Sequence, residues 1–98
     1  MSITAADWSR IYRRKENIVS REIAGETILV PIRGKLADMQ NIFTLNTVGA
    51  FIWNQLDGTK NLEDVLKLLL DKFDVTKEEA EKDTHEFISQ ILEAGLAA

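Results

Sequence analysis

At Asn46 the hydrophobic period of this chain changes. Before it, apolar residues stand in short runs suited to strands; after it they recur at three- and four-residue intervals suited to helices. A 98-residue chain that does both is confined to an α+β arrangement in which a small sheet comes first and helices pack on one side of it. The stretch FTLNTVGAFIWNQLDG, Phe43 to Gly58, holds the change itself. Asn46 can cap a helix starting at about Thr47, because its side-chain oxygen accepts from unpaired first-turn amides. Val48, Phe51, Ile52 and Leu56 fall on one stripe of that helix, and Gly58 follows Asp57 where a left-handed stop is wanted.

On the strand side, IVSREIA from Ile18 and TILVPIR from Thr27 read as a hairpin, with Gly25-Glu26 as a two-residue turn of type II′. Pro31 cannot donate to a ladder, which predicts a free edge or bulge near the end of the second strand. A third strand is expected over about Gln40 to Leu45. On the helix side, Leu62, Val65, Leu66, Leu69, Leu70 and Phe73 line one face of a helix that begins after Asn61. TKEE, Thr76 to Glu79, is a capping box for a third helix, with Val75 and Ala80 placed as a hydrophobic staple. Ala80, Thr84, Phe87, Ile88, Ile91 and Leu92 form its apolar face, and Gly95 marks its end. The expected fold is three N-terminal strands followed by three helices, similar to a winged helix-turn-helix. Residues 1–17, with Trp8, Ile11 and Tyr12 ahead of the basic run Arg13-Arg14-Lys15, read as a loosely attached, flexible arm, and 18–98 as the domain.

Composition narrows the function. The chain has no cysteine, which excludes disulfides, thiolate metal sites and a cysteine nucleophile. His85 is the single histidine, and its neighbours Asp83 and Glu86 point to other sides of a helix, so neither a metal site nor a catalytic role is expected. No phosphate-binding glycine loop, nucleophile triad or paired-carboxylate arrangement stands out, and the expectation is a non-enzyme without cofactor. The N-terminus lacks the apolar core of a signal peptide, and apolar runs fall short of the ~20 residues that span a bilayer. A soluble, cytoplasmic protein without membrane contact follows as the expectation.

A winged helix-turn-helix suggests a DNA-binding regulator as one alternative, with its last helix in the major groove. Here that helix carries Lys77 and Lys82 against Glu78, Glu79, Glu81, Asp83, Glu86 and Glu93, which disfavours a polyanionic partner. Residues 36–98 hold five Lys/Arg against twelve Asp/Glu, whereas residues 1–35 hold seven against four. The acidic half therefore tends to attract cationic partners. A second alternative is a homodimeric interaction module, since an open third-strand edge can pair with a second copy.

The order of elements and the wording of the chain carry a resemblance. Leu45-Asn46 followed by Ile52-Trp53 and Leu56-Asp57-Gly58, with VSRE at Val19 to Glu22, TILVP at Thr27 to Pro31, LEDVLKLLLDKF, and KDTHEFISQILEAGL at Lys82 to Leu96, resemble the PqqD family. Its members are the peptide chaperones of pyrroloquinoline quinone (PQQ) biosynthesis and, more broadly, the recognition elements that bind leader peptides of ribosomally made, modified peptides. The resemblance covers about residues 18–97. Where members acting on the PQQ precursor show Thr-Ala-Ala after the Asn, this chain has Thr47-Val48-Gly49-Ala50, so it looks like a general PqqD-like protein that could serve another peptide pathway. The resemblance implies a non-catalytic adaptor whose partners are a precursor leader peptide and a maturation enzyme such as a radical SAM maturase; a monomer and a weak homodimer are equally compatible with the sequence. It also implies that the leader adds as a strand beside Ile42, Phe43 and Thr44 and lies against the side of the third helix bearing Asp83, Glu86, Phe87 and Gln90.

Overall fold

The structure is a computed structural model that describes residues 7–16, 18–31 and 43–98. In chain order its elements are β1 (Ile11–Arg13), β2 (Ile18–Ile23), β3 (Glu26–Pro31), β4 (Phe43–Leu45), α1 (Thr47–Gln55), β5 (Asp57–Asn61), α2 (Leu62–Lys72) and α3 (Lys77–Glu93). The described part is thus an α+β fold with an N-terminal sheet leading into a helical bundle.

Each helix starts where a short polar side chain can take up a first-turn amide. The Asn46 side chain accepts from Gly49 N at 2.7 Å, Asn61 from Asp64 N at 2.8 Å, and Thr76 from Glu79 N at 3.1 Å. At the other end of α3, Gly95 has φ of +77°, a conformation costly for a residue with a Cβ. There the Leu96 amide donates to the Ile91 carbonyl at 2.8 Å and the Gly95 amide to Leu92 at 3.1 Å, the paired bonds of a Schellman stop. That stop turns Leu96 back into the core, where it is 1% exposed.

The helices bury their apolar stripes together. Ile52 and Trp53 of α1, Val65 and Leu69 of α2 and Ile88 of α3 meet Leu29 of β3 in one core cluster. Each such side chain contributes roughly 1.5–3 kcal/mol through burial. Trp53, which lies off the stripe read from sequence, is buried, whereas Val48 and Phe51 are only partly so. Phe51 instead meets Phe73 edge-on, with ring centroids 5.5 Å apart.

β2, β3 and β4 form an antiparallel sheet in that order. The turn between β2 and β3 is Ala24-Gly25, not Gly25-Glu26, and both residues have positive φ, 54° and 83°. It is therefore a type I′ turn, whose twist matches the strands it joins. The β2–β3 register runs without a bulge from Ile23↔Glu26 to Ile18↔Pro31, so Pro31 is paired without distorting its strand.

Two strands went unread in the sequence. β1 pairs with β5 antiparallel, and on its other side the Arg13 amide donates to the Ala98 carbonyl and the Ala98 amide to Arg13, both at 2.9 Å. Tyr12, between them, is 2% exposed. Residues 11–15 are therefore built into the domain, contrary to the expectation of a loosely attached arm over 1–17. The end of α1 differs as well. The Leu56 amide donates to the Trp53 carbonyl at 3.2 Å, closing the helix, and Asp57-Gly58 opens β5 instead of serving only as a stop.

Candidate functional site

Strand β4 lies at one edge of the three-stranded sheet, and among the described residues it has β3 alone as a strand partner. Which of its backbone groups face outward follows from the hairpin. A two-residue turn is closed by a residue pair that exchanges hydrogen bonds, here Ile23 and Glu26. Alternation along β3 then sends the amides and carbonyls of Glu26, Ile28 and Val30 toward β2, and those of Thr27 and Leu29 toward β4. Thr27 stands opposite Leu45, Ile28 opposite Thr44, and Leu29 opposite Phe43. Phe43 and Leu45 therefore bond to β3, and the N–H and C=O of Thr44 point away from the sheet. The same alternation turns the proline nitrogen at position 31 away from β2, so no bond of the β2–β3 ladder is lost.

The side chains follow the same alternation. Phe43 and Leu45 are partly buried against the core cluster, and Thr44 is exposed on the other face. Beside this edge lies a cavity of ≈ 390 Å³, lined by Phe43, Thr44 and Leu45 on one side and by Phe87, Gln90, Ile91 and Leu96 on the other. Phe87 and Gln90 also line a second cavity of ≈ 230 Å³ between α1 and α3, together with Asn46, Val48, Gly49, Ile52, Asp83 and Glu86. The shared residues make these two compartments of one cleft. Gly49 sets its width: a Cβ there would lie 3.4 Å from the Phe87 ring and 3.3 Å from the Asn46 cap oxygen.

Of the residues singled out by the resemblance, Phe43, Thr44, Phe87 and Gln90 meet in the first compartment, and Asp83 and Glu86 line the second. Ile42 lies outside the described residues. Phe87 belongs to both worlds, since it packs on the core cluster and lines both compartments. The reading missed Leu45, Ile91 and Leu96. Leu96 had a signal in sequence, because the residue after a Schellman glycine commonly turns back to an apolar contact.

No group of three or more His, Cys, Asp or Glu among the described residues could hold a metal ion. Among those residues no helix is long and apolar enough to cross a membrane. The site offers backbone hydrogen bonds at a strand edge, an apolar wall and two carboxylates, which suits recognition of an extended chain.

The fold and this edge define a winged-helix-like α+β domain whose edge strand β4 stands beside its last helix. The chain belongs to the PqqD family, coenzyme PQQ synthesis protein D, whose model matches residues 26–97. Two solved structures share its fold. One is TbiB1 in complex with the TbiA(beta) leader peptide, 22% identical, covering 87% of this chain and 93% of that one with a TM-score of 0.69. The other is lasso peptide synthetase B1 complexed with the leader peptide, 20% identical, covering 91% and 99% with a TM-score of 0.73. No curated protein matches the chain significantly.

Proposed function

We propose that this protein is a non-catalytic adaptor that binds the leader segment of a ribosomally made precursor peptide by strand addition at β4 and presents it to a separate modifying enzyme. The observation that supports the reading is the outward backbone of Thr44, without a strand partner among the described residues, beside a cleft lined by Phe43, Phe87 and Gln90. Membership of the PqqD family supports it, as do two proteins of the same fold solved with leader peptides. The pathway is PQQ synthesis or that of another modified peptide, the partner enzyme is a maturase such as one of the radical SAM class, and the complex forms in the cytoplasm. A free β4 edge calls for a monomer, or a dimer weak enough for the leader to displace.

Proline at position 44 tests the reading. Its nitrogen would face outward, so the bonds of β4 to β3 survive, and an edge position of this kind tolerates proline. Only the donor offered to the leader is lost, and the ring obstructs the approaching strand. Calorimetry against the cognate leader peptide should show binding weakened by at least about tenfold in Thr44→Pro, equivalent to about 1.4 kcal/mol. Thr44→Val should bind as the wild type does. A Thr44→Pro protein that melts normally and binds normally would place the leader elsewhere.

A further inference from the structure

The two compartments of the cleft differ in chemistry. The one beside β4 is walled by Phe43, Leu45, Phe87, Ile91 and Leu96, and the one beside α1 presents the carboxylates of Asp83 and Glu86. Both carboxylates are on exposed residues, and the described ion pairs of the chain, Lys60–Asp57 and Lys67–Glu63, involve neither of them. The capped N-terminus of α1 also faces this compartment, but its partial charge of about half a unit is smaller than that of two ionised carboxylates.

We infer that the cleft reads an extended peptide carrying Lys or Arg two positions before a large apolar residue, the cation in the acidic compartment and the apolar side chain in the other. This rests on the strand-addition reading and adds the chemistry of its ligand. The spacing comes from α3. Asp83 and Phe87, or Phe87 and Ile91, are separated by four residues, about 6 Å along the helix axis. On a strand, residues i and i+2 face the same side about 6.8 Å apart. Two side chains of one peptide on alternate positions therefore reach the two compartments together. The order comes from β4. Following β4 from Phe43 through Asn46 into α1 leads from the apolar compartment to the acidic one. A peptide pairing antiparallel, as every described strand pair does, runs the other way and meets the acidic compartment first.

Selection of randomised eight-residue peptides displayed on phage, against the immobilised full chain, tests this with folded Thr44→Pro as the reference. The wild type should enrich Lys or Arg two positions before Leu, Ile, Val, Met or Phe. In Asp83→Asn/Glu86→Gln the apolar preference should persist while the basic preference disappears. A synthetic peptide from the wild-type selection should bind that double variant about threefold to tenfold more weakly, with the difference shrinking as salt rises. Enrichment of apolar peptides without a basic position overturns the inference and leaves strand addition standing. Enrichment in the reverse order, apolar before basic, overturns the assigned direction and with it the inference. No enrichment over Thr44→Pro overturns both the inference and the peptide-binding reading.

Discussion

Asp57 shows how much a single residue of this chain can be asked to do. Its carboxylate accepts from Lys60 Nζ at 2.7 Å and from the Thr59 hydroxyl and amide at 2.6 and 3.0 Å. The Lys60 bond first, then those from Thr59, hold its carboxyl well below the ordinary value of 3.8. A depressed carboxyl binds protons more readily in the unfolded chain. It therefore contributes stability that is fully present above pH 3.8 and is lost as pH falls below that value toward the folded pKa. Urea denaturation from pH 5 down to pH 2.5 should show a fall in stability that is smaller in Asp57→Asn; equal slopes would show that the turn at β5 does not hold the charge. Thr44 is the counterpart at the site. Its side chain is of little account, and its importance lies in backbone groups whose direction is set twenty residues away by the hairpin turn.

At the scale of elements, that hairpin holds the one non-glycine residue with positive φ among the described residues. Ala24 holds φ of 54°, in the left-handed region that asparagine and glycine tolerate better. Ala24→Asn or Ala24→Gly should raise stability by about 0.5–1 kcal/mol, read as an increased melting temperature. A decrease would mean that the turn is not of type I′. The outer edge of β2 carries Arg21 and Glu22 as exposed charges, which discourage pairing. The described residues of β4, Phe43–Leu45, carry no charge and stand beside the cleft. That contrast is why strand addition is assigned to one edge and not the other.

For the whole molecule, the second sheet ties both ends of the described chain together. β1 lies between β5 and residues 96–98, Lys15 N donates to the Leu96 carbonyl at 3.0 Å, and Arg14 N donates to Leu56 at 3.1 Å. Tyr12 is the anchor: its ring is buried, its hydroxyl accepts from the Asp7 amide at 3.1 Å, and the Arg10 guanidinium lies 5.0 Å from the ring centre. Tyr12→Ala should cost about 3–5 kcal/mol by analogy with other buried aromatics, whereas Tyr12→Phe should cost about 1 kcal/mol for the lost hydrogen bond. Urea titration distinguishes them, and a Tyr12→Ala cost below 1 kcal/mol would show that the segment is peripheral. Because Leu96 lines the cleft while its carbonyl holds Lys15, loosening of this segment should also weaken peptide binding.

What the sequence determined by itself was local. Helix starts at Asn46, Asn61 and Thr76, the apolar stripes of α2 and α3, the glycine stop at Gly95 and the strand runs of the hairpin all depend on residues within a turn or two of one another, and each was legible. β1 and β5 were not. IYR is too short to show a period, and DGTKN has no apolar alternation and poor strand propensity, so neither becomes a strand until the other and the C-terminal residues supply its hydrogen bonds. The cleft divides in the same way. Phe87 and Ile91 could be placed on the apolar face of a helix from their spacing, but nothing local brings Leu45 or Leu96 beside them. Nor does anything local say that the amide of Thr44 faces outward. Those outcomes come from the register of a three-stranded sheet and the packing of α3 against it, which join residues fifty positions apart and exist only once the tertiary structure has formed.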